Sequence, residues 1–472
     1  MVVRRLARVH DRTICVASDL DGFLPAVSYG LEVLFGNTLN WITPWTATHM
    51  RGDLTVAYTT VPLAEPADRL LWIVPDTHFW QNYGRSDSLP QSALEPVDGT
   101  PLLYGHPEIV RHKDTLTSGA DIVASAYFLV TRYEETVRRT ARDMHGRFPG
   151  RESVPFRLGF IHRPVVDEYS DILYRWCEEC GVPVRKPDRK FSVLLTHDVD
   201  MLRESPRPLN AIRGILRGIR PVGALFASLA IEVGLLQDLY DTFDTLVELD
   251  GRLLATGIPC DCTYFWMAGG SAQYDGAYDI RSRLAKTTLG KLVKSGANIG
   301  LHTSYEAGMR PVLIQSEKHR LEEVCGTRIT RNRHHFLAWR EVEDGWPLVR
   351  AGITWDATLG YADVAGFRLG VCHPIPLFDP LTLEPFGIEE HPLLVMDGTL
   401  SNKDYMNLGE EQAIEYCRGL LEQTRRHNGE FVALWHNTWN CADAAYAASI
   451  YARLLDMVAK WPQAASSPEA LC

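Results

Sequence analysis

The chain has 472 residues, 46% of them hydrophobic and 23% charged, with a formal net charge of -11. Those values fit a soluble globular protein long enough for two or three domains, and they exclude a disordered or fibrous chain. With an acidic balance and no basic block, nucleic acid and anionic polysaccharide are not expected as partners. The opening run Met1-Val2-Val3-Arg4-Arg5-Leu6-Ala7-Arg8 leads into no apolar signal core, and no stretch approaches a membrane span. A cytoplasmic protein without a transmembrane segment is therefore expected.

Taken in chain order, residues 1–186 alternate strand-like and helical runs, which argues a separate α/β N-terminal domain. Within it, Ile14-Cys15-Val16-Ala17-Ser18-Asp19-Leu20-Asp21-Gly22 resembles the strand and Asp-x-Asp-Gly of haloacid-dehalogenase-type phosphotransferases. The match stops at Phe23, and no downstream lysine with an acidic pair follows, so a surface turn around Gly22 is the better explanation. Cys177-Glu178-Glu179-Cys180 lacks the second pair that a zinc knuckle needs, and Cys260-Asp261-Cys262 stands alone. Both read as reduced structural thiols. Gly181-Val182-Pro183-Val184-Arg185-Lys186-Pro187 reads as a linker, and residues 187–472 as a second domain. A helical insertion, about 206–257, interrupts that domain. Its Arg213, Arg217 and Arg220 precede the apolar run Val222-Gly223-Ala224-Leu225-Phe226. Such a segment could rest on a membrane surface near a lipid-linked substrate, but ordinary packing against the second domain is the expectation.

The chemistry is concentrated in that domain. Phe191-Ser192-Val193-Leu194-Leu195 reads as a strand delivering Thr196-His197-Asp198-Val199-Asp200. Alternation puts Asp198 and Asp200 on one side, where two anions repel unless a cation or shared proton lies between them. Three later strand-like runs end in histidines: Leu301-His302-Thr303, Arg333-His334-His335 and Leu434-Trp435-His436. The C-terminal strand ends of an α/β barrel converge on one rim, and this residue set there suits metal-assisted hydrolysis.

At these residues the sequence resembles the polysaccharide deacetylases of the NodB-homology type, carbohydrate esterase family four in the broad sense. Thr196 to Asp200 resembles the first motif, and Cys262-Thr263-Tyr264-Phe265-Trp266 the strand that follows it. His302-Thr303-Ser304 resembles the second motif, Arg333 with Phe336 the third, and Leu434-Trp435-His436 the fifth. The ordered matches span about residues 188–440. Tyr361-Ala362-Asp363 through Gly366-Phe367-Arg368 further resembles a two-domain bacterial subgroup. The resemblance implies a distorted (β/α) barrel and removal of acetyl from an N-acetylated sugar, glycan or lipid-linked glycan precursor. It implies Asp198 as the base, Asp200 and His302 as metal ligands, Arg333 as the group orienting the base, and His436 as the acid.

Two departures matter. Glu306 stands where the second motif normally carries another histidine, and His335 replaces a proline of the third. Either Glu306 is an oxygen ligand or the third ligand comes from elsewhere, with His335 favoured. Zinc suits a histidine-rich site, whereas an oxygen-rich one would favour manganese or cobalt. Asp356 and Asp397 are each candidates to orient His436, or else helix-cap or turn residues. Trp355, Phe367, Trp435 and Trp439 could line a sugar cleft, although core positions are the commoner use of such aromatics. The rival reading is a catalytically silent glycan-binding scaffold, or a hydrolase of another small amide or imide.

Overall fold

The computed structural model describes residues 1–460 except 48–49, 65–66, 93, 206–207, 277, 342 and 439–443, so Trp439 lies outside the described residues. The chain is α/β and divides into two compact units, each drawn from separate stretches. The first takes Met1–Lys190, Phe336–Leu394 and Gln423–Glu430; the second takes Phe191–His335, Val395–Glu422 and the described chain from Phe431 onward.

Seven strands of the first unit are β1 (Val3–Val9), β2 (Arg12–Ser18), β3 (Asn40–Trp41), β4 (Leu54–Tyr58), β5 (Leu70–Ile73), β6 (Gly105–His112) and β7 (Thr115–Ala120). They form one sheet in the order β3-β1-β2-β4-β5-β7-β6. The centre, β2 to β4 to β5 to β7, is parallel, and the flanking pairs are antiparallel. Every residue of β4 is buried, as a strand covered on both faces requires. The helix Val165–Glu179 opens after Pro164 with Asp167 and Glu168 in its first turn, a favourable end for carboxylates. Asp19 is used locally, accepting from the Thr60 amide at 2.9 Å and hydroxyl at 2.6 Å. Asp21 lies in the short 3-10 turn Asp21–Phe23, the turn the sequence suggested.

The second unit begins with β8 (Ser192–Val199), β9 (Cys260–Trp266), β10 (Asn298–Thr303) and β11 (Arg331–His334). The chain then returns to the first unit for β12 (Trp355–Asp356), β13 (Ile375–Asp379) and β14 (Glu384–Glu390), where β14 lies parallel to β12 and antiparallel to β13. It returns again with β15 (Val395–Met396) and β16 (Glu430–Leu434). Within the second unit the strand order is β15-β16-β8-β9-β10-β11. Among the described residues no pairing joins β15 to β11, so these six strands do not by themselves close into the expected barrel. The parallel register is what positions the chemistry: Asp198 lies opposite Phe265, and His302 opposite Arg333. A slip of one residue would turn every side chain to the other face.

All eight described cysteines are free, and burial pushes the Cys180 thiol up to about 11, so it stays protonated at neutral pH. Two buried ion pairs knit the first unit. Arg132, in the left-handed region at φ 54°, pairs with Glu341, while Arg368 forks onto Glu135 at 2.9 and 2.6 Å. All four residues are buried. Removing one partner strands the other charge. Glu135→Ala is therefore expected to destabilise the protein by about 3–5 kcal/mol in chemical denaturation. Replacing Glu135 and Arg368 together by Leu and Met should recover most of that loss.

Candidate metal centre

β8 brings Asp198 to its end, and Asp200 follows two residues later on the same side. Next to β8, β16 ends one residue before Trp435-His436, and Thr196 donates to the Ala433 carbonyl at 2.8 Å. On the other side, β10 carries His302, and β11 carries Arg333 just before His335. All of these residues belong to the second unit.

Asp200 is the centre of the cluster. Its Oδ1 lies 3.2 Å from His302 Nε2 and 3.6 Å from His335 Nε2, and its Oδ2 lies 3.7 Å from His436 Nε2. Burial alone would raise the Asp200 carboxyl, but His335, His302 and His436 hold it well below the usual carboxylate range. His302 Nδ1 donates to the Arg333 carbonyl at 3.0 Å, so its Nε2 is the atom turned toward the carboxylates. Burial works to lower this imidazole; Asp198 and Asp200 outweigh it and hold it above its ordinary value.

Two further side chains flank this group. Asp198 is bound through Oδ1 to the Arg333 guanidinium at 3.3 Å, while its Oδ2 lies 3.6 Å from His302 Nε2. Arg333 is fully buried, also donates to Thr196 Oγ1 at 2.6 Å, and stands 4.7 Å over the Phe265 ring. On the other flank Asp397 grips His436 twice, through Nδ1 at 2.8 Å and the backbone amide at 3.0 Å. Burial would lower the His436 imidazole, yet Asp397 first, then Asp200 and Asp198, push it up to about 10. The imidazole is thus held toward its protonated form, with Nε2 facing Asp200 Oδ2 at 3.7 Å.

Asp200, His302 and His335 each offer a ligand atom, and those atoms lie within 4.8 Å of one another. The buried Asp200 Oδ1 and His302 Nε2 face each other without a hydrogen-bond partner. One carboxylate oxygen and two imidazole nitrogens, with Asp200 partly open to solvent, form a donor set that could hold a metal ion. Two other groups, His197 with Asp250 and Cys262, and Asp167 with Cys372 and His373, are wholly buried. In the first of these the Asp250 oxygens are already taken by His197, Cys262, Tyr264 and Tyr451.

The remaining sequence candidates fall elsewhere. Glu306 turns away to Ser271, accepting from its amide at 2.9 Å and hydroxyl at 2.7 Å, and to Arg310 at 3.0 Å. Asp356 belongs to the first unit, where it caps Thr358 and its charge, added to burial, raises the Glu390 carboxyl. The only candidate orienting carboxylate beside His436 among the described residues is thus Asp397. Trp355, half-buried, stacks on His391, Phe367 is buried, and both belong to the first unit; Trp435 is buried and stacks on Tyr451. One residue escaped the sequence reading: Asp275, whose Oδ1 lies 3.9 Å from His335 Nδ1 and accepts the Tyr305 amide at 2.6 Å. Its signal was the Gly269-Gly270 pair before it. Gly270 has φ +91°, and a Cβ there would sit 2.4 Å from the Asp275 carboxylate.

Comparisons with known proteins give the following. A family of unknown function, DUF7033, matches residues 20–181. No curated protein matches the chain. Among solved structures, a protein described as a polysaccharide deacetylase from Mycobacterium smegmatis is similar at 18% identity and a TM-score of 0.36, covering 58% of this chain and 87% of its own. The peptidoglycan deacetylase PdaC from Bacillus subtilis is similar at 14% identity and a TM-score of 0.24, with the same two coverages. A variant of PdaC gives 12% and 0.27, again over 58% and 87%.

The site makes two predictions. Purified protein should carry close to one equivalent of divalent metal by mass spectrometry. His302→Ala and His335→Ala should lose most of it, and Glu306→Ala should keep it; metal retained in His335→Ala would remove that residue from the ligand set. In metal-free protein the His436 pair with Asp397 stabilises fully below the free imidazole value, about 6.5, and is lost as pH rises through about 10. The stability gap between wild type and Asp397→Asn should therefore be larger at pH 6 than above pH 10, as read by denaturation at each pH.

Proposed function

We propose that the protein is a metal-dependent hydrolase that removes acetyl from an N-acetylated sugar, glycan or glycan precursor. One observation carries this reading: a carboxylate held by arginine and an imidazole held by carboxylate flank a single group of metal-ligating side chains. Asp200, His302 and His335 would hold the metal. When bound, a divalent ion supplies a Lewis acid that polarises a carbonyl and lowers the pKa of water. Zinc suits two imidazoles with one carboxylate, and manganese or cobalt would be tolerated by the same donors.

The protein's own residues divide the proton work. Asp198 has one oxygen tied to Arg333 and the other turned inward, where it takes the proton of the attacking water. Amide cleavage needs the departing nitrogen protonated, since an amide anion is a poor leaving group. His436, charged and aimed into the site by Asp397, supplies that proton. Arg333 pairs with Asp198 and fixes its rotamer. A scaffold that only binds glycan has no need of an oriented base and an oriented acid on either side of one ligand group.

Asp198→Asn should lose turnover by about 10²–10⁴-fold while retaining metal. Arg333→Met, which keeps the volume without the charge, should lose activity in the same direction. The measurement is acetate release from N-acetylglucosamine oligomers and nucleotide-linked N-acetyl sugars, after loading with zinc, manganese or cobalt. Saturable sugar binding with no acetate release under any metal would leave the silent scaffold as the better account.

A further inference from the structure

The segment between β8 and β9 is built with its apolar faces outward. In the helix Pro208–Leu216, Leu209, Ile212 and Leu216 recur at helical spacing and form one face. That face meets solvent: Leu209 is 71% exposed and Leu216 81%, while the buried residue of this helix is the small Ala211. The helix Gly223–Glu232 repeats the arrangement. Val222, Phe226, Leu229 and Val233 share a face, Phe226 is 67% exposed, and the residue turned inward is Ser228. Ordinary packing of this segment, the expectation from sequence, is therefore not what these two helices do, since a packed surface helix turns its apolar stripe to the core.

The charges on the first helix and on the turn after it are of one sign. Arg213 on the first helix, and Arg217 and Arg220 between the two, are all exposed. Among the described residues none of the three is paired with a carboxylate; Arg213 reaches only the Asn210 side chain, at 3.4 Å. Residues 205–231 contain four arginines and no Asp or Glu, in a chain whose net charge is -11. An open cleft of about 790 Å³ beside the first helix adds Arg283 and Leu284, and its one carboxylate, Glu232, is paired with Arg203 at 2.6 Å.

We infer that this surface docks on an anionic lipid bilayer. Exposed leucine, isoleucine and phenylalanine side chains enter the acyl boundary, and the arginines bind lipid phosphates around them. The helices have nine and ten residues, so they lie on the bilayer and do not cross it, which takes about 20. No described helix is long and apolar enough to span a membrane. A second copy of the chain is a poorer occupant: stacking the patch on itself brings two unpaired arginine clusters together as the surface is dried. This inference stands apart from the metal centre and does not rest on the proposed reaction.

The test is flotation of the full chain with vesicles of phosphatidylcholine alone, and with vesicles containing about a third phosphatidylglycerol. The expected result is binding to the anionic vesicles that weakens as salt is raised, with neutral vesicles bound far more weakly. Arg213→Gln, Arg217→Gln and Arg220→Gln together should lower the partition coefficient on the order of a hundredfold, at about 1 kcal/mol per arginine. Phe226→Ser with Leu229→Ser should also abolish flotation while leaving the circular dichroism unchanged, because both side chains are exposed. Failure of the wild type to float with anionic vesicles overturns the inference. Equal flotation on both vesicle types, or variants that bind as well as wild type, does the same. Self-association removed by Phe226→Ser in a protein that does not float would mark the patch as a protein interface instead.

Discussion

Two carboxylates sit on one side of a strand end, and the rest of the second unit is arranged around the repulsion between them. Asp198 and Asp200 are close enough to share His302 Nε2, at 3.6 and 3.2 Å. In a desolvated site such a pair stays ionised only if positive groups face it from several directions. Arg333 pairs with Asp198 from β11, which is separated from β8 by two strands. The same residue offers its backbone carbonyl to His302 Nδ1. One position thus neutralises one carboxylate and selects the imidazole tautomer that faces the other. Its Nη1 reaches both Thr196 Oγ1 and Asp198 Oδ1 while the guanidinium lies over the Phe265 ring.

The opposite face of β8 is held as firmly. Strand alternation turns His197 away from the aspartates, and there it meets Trp435 O at 2.8 Å and Asp250 at 3.1 Å. Asp250 comes from the helix Phe243–Leu254 and also accepts from Cys262, Tyr264 and Tyr451. Burial and this carboxylate together push the Cys262 thiol far up, which suits a structural cysteine and not a nucleophile. The contact to Trp435 O reaches the residue before His436, so the two faces of β8 are mechanically linked. The insertion is accordingly divided: its last helix belongs to the core, and its first two do not.

The sequence made the residues of the site legible because strand ends and period-two alternation are local properties. Asp198, Asp200, His302, Arg333, His335 and His436 could each be read from its own short run. What could not be read was the sorting of the chain. Asp356 and Asp397 look alike in sequence, each following an apolar run, yet Asp356 is in the first unit against Glu390 and Asp397 is beside His436. Which strand neighbours which is decided by long-range pairing, and no local pattern encodes it. The inserted helices misled for a related reason. Periodicity shows that a helix has an apolar face, but not whether that face turns inward. Whether strands close into a barrel is likewise a property of strand number and shear, invisible in any one strand.

The departure at Glu306 is connected to the arrival of His335. Glu306 fastens Ser271 by two hydrogen bonds, fixing the loop that begins at Gly269. That loop folds Asp275 back over Gly270, where the Asp275 carboxylate takes the amides of Ala272, Tyr305 and Glu306 itself. Burial would raise the Asp275 carboxyl, but the His335 imidazole first and then the amides of Ala272, Tyr305 and Glu306 hold it below its ordinary value. Asp275 in turn stands behind His335 Nδ1, leaving Nε2 directed at Asp200. A carboxylate behind an imidazole is the usual device for aiming a ligand nitrogen. Glu306 thus anchors the loop whose carboxylate stands behind His335, the histidine whose Nε2 faces Asp200.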